Sequence, residues 1–253
     1  MIILLSPAKI LDYSSKVHLS LTSKPDFIDR ANYLASLLQQ FSVDQLSKLM
    51  SVSSKLARLN FERYQLWDHE HTPSRQAVFA FKGDVYQGIE AENFSMDDLL
   101  FAQQHLRILS GLYGYLRPAD MIKPHRLEMG TKLQTDAGKD LTTYWQKVIT
   151  KAIKKDLQTM EQPLVVNLAS NEYSAAVTFK ELHVEVFTPE FKDFKNGKYI
   201  TISFYAKKAR GRMSSFIIKN RISKAEDLVA FSADGYHYNN QLSDKYAPVF
   251  TRG

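Results

Sequence analysis

Apolar residues along this chain fall into two rhythms. Short, mainly apolar runs at residues 2–5, 77–81, 106–109, 164–168, 184–187 and 199–205 read as strands, because short runs bounded by polar or turn residues suit a strand in a sheet. Between them the spacing is helical. Phe27, Ala31, Leu34, Leu38 and Phe41 recur every three to four residues, with Ser23 and Pro25 as a start signal. Trp145, Val148, Ile149, Ala152 and Ile153 predict a second helix over 140–157, and two more are expected from near Asn171 and near Ala225. Lys195-Asn196-Gly197-Lys198 carries the Asn-Gly hairpin signal. It predicts that the runs at 184–187 and 199–205 pair antiparallel and that the sheet is mixed. No repeat or linker divides the chain. The expected fold is mixed α/β: a single compact domain over 1–253 around a mixed sheet, with a helical lobe at about 24–75 that contains no strand run.

Three strand runs lead directly into polar loops: Ser6-Pro7-Ala8-Lys9, then Ser110-Gly111-Leu112-Tyr113-Gly114 with Arg117-Pro118, and Asn167-Leu168-Ala169-Ser170-Asn171-Glu172-Tyr173. In parallel strands the carboxyl ends share one edge, where ligands bind. The expectation is that Lys9, Arg126, Asn167 and Lys207 line one positively charged cleft, with Glu128 and Glu172 each near a cation. The alternative is three ordinary strand-to-helix turns, with Ser6-Pro7 and Ser170-Asn171 as caps.

Composition narrows the chemistry. The 253 residues hold no cysteine, which excludes disulfides, Fe–S clusters, zinc ribbons and thiol redox cycles. No apolar stretch is long enough to span a bilayer, and the chain opens straight into a strand, so a cytoplasmic protein without membrane association is expected. His69 and His71, beside Asp68 and Glu70, stand two apart and share no helix face, so they read as a solvated loop. No metal site and no cofactor is expected, and Walker A, G-x-G-x-x-G and G-x-S-x-G motifs are absent.

The net charge is +6, from 33 Lys and Arg against 27 Asp and Glu, and matters only where it clusters. Lys207, Lys208, Arg210 and Arg212 crowd around Gly211, in what reads as a loop after the 199–205 strand. Such a run suits a phosphate-bearing partner or is a solvated turn. Residues 46–57 resemble a helix-hairpin-helix motif, with Ser51-Val52-Ser53 as the tight turn and Lys55 just beyond. Backbone N–H groups there would face a DNA phosphate. Serines replace the hairpin glycines, and a plain αα-hairpin is the alternative.

Taken in order, Ser6-Pro7-Ala8-Lys9 with Asp12, the block from Ser110 through Arg117-Pro118 and Asp120 to Arg126-Leu127-Glu128-Met129-Gly130, the 167–173 motif and Lys207-Lys208-Ala209-Arg210-Gly211 resemble the YaaA family of bacterial peroxide-stress resistance proteins. His125 departs from it, standing where an aromatic such as Tyr is expected. The resemblance implies a peroxide-stress protein that lowers free intracellular iron, and that binds duplex DNA or a locally unpaired bubble through a positive cleft and a helix-hairpin-helix element. Nucleic-acid contacts are expected from Lys9, Ser51, Ser53, Lys55, Arg117, Arg126, Lys207, Lys208, Arg210 and Arg212, on a monomer. The alternative is an enzyme acting on a nucleic-acid base or a phosphate-bearing small molecule, with Glu128, Asn167, Asn171 and Glu172 as catalytic candidates.

Overall fold

The computed structural model describes residues 1–69 and 71–253, so Glu70 of the 68–71 loop lies outside the described residues. Strands β1 (Ile2–Leu5) and β2 (Ile10–Leu11) precede a helical lobe of α1 (Ile28–Gln39), α2 (Val43–Met50) and α3 (Ser54–Gln65). The chain continues through β3 (Arg75–Gln76), the single turn α4 (Ala77–Ala80), β4 (Phe81–Lys82), α5 (Asp84–Ile89) and α6 (Met96–His105). Then come β5 (Leu106–Ser110), β6 (Gly114–Leu116), β7 (Met121–Ile122), α7 (Leu141–Leu157), β8 (Leu164–Leu168) and the short α8 (Asn171–Ser174). The last part holds β9 (Glu185–Phe187), β10 (Glu190–Lys195), β11 (Lys198–Ile200), α9 (Ser203–Lys219), β12 (His237–Tyr238) and β13 (Val249–Arg252).

The main sheet has the order β6-β5-β1-β8-β9. β1 lies at its centre, parallel to both β5 and β8, and β9 is parallel to β8. Only β6, which turns back from β5, runs antiparallel in this sheet. Ile2, Ile3, Leu4 and Leu5 are all fully buried, as an unbroken apolar strand covered on both faces requires. Asp140 caps α7 by accepting from the Thr143 N–H, and α7 buries Trp145, Ile149 and Ile153. A second sheet has the order β11-β10-β13-β12.

Helix α9 crosses α5 in backbone contact. A Cβ on Gly88 would stand 2.1 Å from the Lys208 carbonyl oxygen, and one on Gly211 only 1.9 Å from that of Val85. No larger residue fits either position without separating the helices.

Several local expectations change. The apolar run at 77–81 is one turn of helix between two short strand pairings, β3 with β7 and β4 with β2. The Ala77 and Val78 N–H groups donate to the carbonyls of Asp120 and Pro118. The hairpin at Asn196-Gly197 forms, with positive φ at both residues, but joins β10 to β11; the 184–187 run is β9, a parallel edge strand. The run at 199–205 is strand only to Ile200, and helix from Ser203 onward. There the buried positions become Ala206, Ala209, Met213 and Ile217, so the period has switched from two to about four. The basic run is therefore helical and not a loop. Ser23 does not start α1; its hydroxyl donates to Asp120 at 2.6 Å, and the helix begins at Ile28. The helix near Asn171 is a single turn, and that near Ala225 is a 3-10 turn over Glu226–Ala230.

Candidate functional site

Register places the polar loops. Leu5 is level with Leu168 of β8 and with Ile108 of β5, so the segments after β1 and β8 leave the sheet side by side at its carboxyl edge. They are tied together: the Ser170 N–H donates to Ser6 Oγ at 2.8 Å. The Tyr86 hydroxyl of α5 donates to the Ser6 carbonyl at 3.1 Å. A cavity of about 290 Å³ opens here, between these segments, the 82–85 turn and α9. Four cations line it, Lys9, Lys82, Lys207 and Arg210, against two carboxylates, Asp84 and Glu172.

Beside the cavity, Glu128 bridges two cations. Its Oε2 lies 2.6 Å from Lys9 Nζ and its Oε1 2.8 Å from Arg126. The third strand-end loop supports this bridge from behind, because a Cβ on Gly111 would lie 2.3 Å from the Leu127 carbonyl oxygen. The Tyr64 hydroxyl of α3 donates to the Arg126 carbonyl at 2.9 Å, which fastens the helical lobe to the same segment. Glu172 accepts from the Gly130 N–H at 3.1 Å. Burial pushes the Tyr173 phenol up, with the Glu172 and Glu128 carboxylates adding to it, so it remains a neutral hydroxyl at the cavity wall.

The helical placement of the basic run divides its charges. Lys208 pairs with Asp234 at 3.1 Å, and Arg212 with Glu90 at 2.5 Å. These two stand four residues apart on one side of α9. Lys207 and Arg210, three apart, instead line the cavity. Among the described residues neither has an ion pair or a side-chain hydrogen bond. Burial pulls the Arg210 guanidinium down, opposed by the attraction of Glu190, a carboxylate already paired with Lys192 at 2.9 Å.

Other expected site residues lie elsewhere. Asn167 is buried within β8, where its Oδ1 accepts from the Ala169 N–H at 3.2 Å; it shapes the loop and does not line the cavity. Asn171 is exposed at the start of α8. Arg126 sits behind Glu128 and does not line the cavity either. Arg117 is at the opposite edge of the sheet, because the antiparallel β6 carries the chain back. There it pairs with Asp120 and Asp26, both at 3.0 Å, and lines a different hollow with Met1 and Gln162. Ser51 closes α2 with left-handed φ of 50°, and Ser53 caps α3 by accepting from the Leu56 N–H. Ser51, Ser53 and Lys55 are exposed. The pair is a tight αα-hairpin whose turn lies three helical turns from Tyr64. His125 is buried, edge-on to Tyr113 and Phe81, so its ring packs as an aromatic would.

Lys82, Asp84 and Ile10 were not among the expected site residues. One signal for the first two was present: the apolar run at 77–81 also ends in a polar turn with glycine, Lys82-Gly83-Asp84.

With this geometry in place, residues 1–242 match the family described as peroxide stress protein YaaA. The chain is also similar to a UPF0246 protein of Teredinibacter turnerae, 49% identical over 254 residues, which covers 100% of this chain and 99% of the relative.

Proposed function

The chain belongs to the family of peroxide stress proteins YaaA, and we propose that its part in that response is to bind DNA, duplex or locally unpaired, through the cationic cavity and the α2–α3 hairpin. One observation carries this reading: four cations line the cavity against two carboxylates, and neither Lys207 nor Arg210 forms an ion pair or a side-chain hydrogen bond among the described residues. Cations that protein carboxylates do not pair suit a polyanion. The hairpin supports it with exposed Ser51, Ser53 and Lys55 around a helix start, the arrangement that meets a phosphate in a helix-hairpin-helix element. Lower free intracellular iron, implied by the family resemblance, is proposed to follow from this role; the same variants assayed for cellular iron test that link.

The test is a salt titration with a duplex and a bubble substrate. Each neutralised phosphate contributes a slope of about −0.9 in log K against log salt. The double variant Lys207→Ala/Arg210→Ala is expected to flatten the slope by about 2, and Lys55→Ala by about 1. Unchanged affinity and slope in the double variant would remove the cavity from the interface. A second reading, an enzyme acting on a nucleic-acid base or a phosphate-bearing small molecule, is favoured by the fixing of Glu128 between Lys9 and Arg126 at the cavity. In that case Glu128→Gln abolishes turnover and spares binding.

A further inference from the structure

We infer that the cavity holds a single nucleoside monophosphate unit, its phosphate on Arg210 and Lys207 and its base against Ile10. This rests on the reading of the cavity as the place where a nucleic acid docks, and it names what enters it. A guanidinium cannot shed its proton. Arg210 is partly buried, lines the cavity, and has no ion pair or side-chain hydrogen bond among the described residues. The carboxylate that attracts it, Glu190, is already paired with Lys192, which leaves a half-buried cation incompletely neutralised, and Lys207 one turn earlier adds a second charge facing the same space. Lys208 and Arg212 are the internal comparison. They belong to the same run, and carboxylates already occupy them.

The rest of the lining selects the size and charge of the ligand. Pro7, Ala8, Ile10 and Leu168 give it an apolar wall, and Ile10 is 63% exposed, a large aliphatic surface left open beside the cations. An aliphatic wall next to a phosphate site accepts the face of a flat ring. The volume of about 290 Å³ is at the small end of ligand pockets, which suits one nucleotide unit. Asp84 and Glu172 on the same lining oppose further negative charge, so a monophosphate is favoured over a triphosphate. The unit has two sources, a free mononucleotide or a nucleotide extruded from a strand.

The full chain is titrated calorimetrically at low salt with dAMP, dATP and inorganic phosphate, and by anisotropy with a bubble DNA. The variants are Arg210→Gln, Arg210→Lys, Lys208→Gln and Ile10→Ser. Arg210→Gln is expected to weaken dAMP about tenfold or more, the value of a charge-assisted fork, with partial recovery in Arg210→Lys. Lys208→Gln should stay within about twofold of wild type. Free phosphate and dATP should each bind several-fold more weakly than dAMP, and Ile10→Ser should bring dAMP down to the level of phosphate. Thermal melting of Arg210→Gln should equal or exceed wild type, since a half-buried cation without an ion pair has been removed. A large fall in melting temperature, or equal losses in Arg210→Gln and Lys208→Gln, overturns the inference. If dAMP does not bind, yet the bubble loses about tenfold in Arg210→Gln and not in Lys208→Gln, the source is the extruded nucleotide. If dAMP binds and DNA does not, the site stands with a free nucleotide and the DNA reading fails. If neither binds, the site is wrong.

Discussion

Glu128 accepts from Lys9, near the start of the chain, and from Arg126, two residues before it, and only the second neighbour can be read from spacing. The loop register that brings Lys9 close is set by strand pairing across the sheet, which no local pattern encodes. For the same reason Asn167 and Arg117 read as cleft residues while the fold turns one inward and carries the other to the far edge. The bridge is only partly sheltered, with Glu128 at 22% side-chain exposure and Lys9 at 60%. Glu128→Gln keeps the shape and removes the charge that two cations face. It is expected to cost about 2 kcal/mol, mostly through Arg126, with solvent reducing the Lys9 share. Urea unfolding measures this as a lower midpoint at unchanged slope. DNA affinity is expected to stay equal or rise slightly, because Lys9 loses its competitor. Equal stability of Glu128→Gln and wild type would show that the bridge contributes nothing.

Among the elements, those with a long, single-period pattern were legible and those where the period changes were not. β1, β5, β8 and α7 follow from their runs and caps. The 199–219 segment changes period within a few residues, and its aromatic start disguises a helix as strand. That misreading matters for the site, because a loop would present all four cations together, whereas α9 sorts them by face. What holds α9 in that orientation is its crossing with α5 at Gly88 and Gly211. By intrinsic propensity, Gly→Ala in a helix gains roughly 1 kcal/mol. Here the opposite sign is expected. Gly211→Ala and Gly88→Ala each force the helices apart, at a cost on the order of 3 kcal/mol. Lys207 and Arg210 move with α9 while the 82–85 turn moves with α5, so salt-sensitive DNA binding should fall as well. A stabilising Gly211→Ala with intact binding would show that the crossing yields easily and does not set the cavity.

At the scale of the whole molecule, the mixed α/β class and the helical lobe were legible from the runs and their spacing, whereas the antiparallel pair expected from Asn196-Gly197 lies in the second sheet and the main sheet is mixed through β6 instead. The second sheet was not legible, because β12 and β13 are short and draw their partners from distant strands. Stability against acid is another whole-molecule property that the packing sets. Burial pulls the His125 imidazole from the ordinary 6.5 down to about 4, with Arg63 adding to the shift and the Lys123 carbonyl opposing it. Burial also lowers His105, whose Nδ1 lies 2.9 Å from the Met1 carbonyl. Between about pH 6.5 and 4 the unfolded chain therefore binds protons at these positions that the folded chain refuses. Stability is full above the unfolded value and falls as pH drops through this window, by up to about 3 kcal/mol for His125. Asp120, raised by burial, acts with the opposite sign, retaining its proton more readily when folded. It is common to both proteins in the comparison that isolates His125, wild type against His125→Phe. The phenyl ring keeps the edge contacts with Tyr113 and Phe81 and cannot be protonated. Melting curves taken from pH 7 to pH 4.5 are expected to fall several degrees further in wild type than in His125→Phe. Parallel slopes for the two proteins would mean that His125 takes up its proton in the fold over the same pH range as in the unfolded chain, which a ring packed edge-on between two aromatics with one carbonyl partner would have to accommodate by moving.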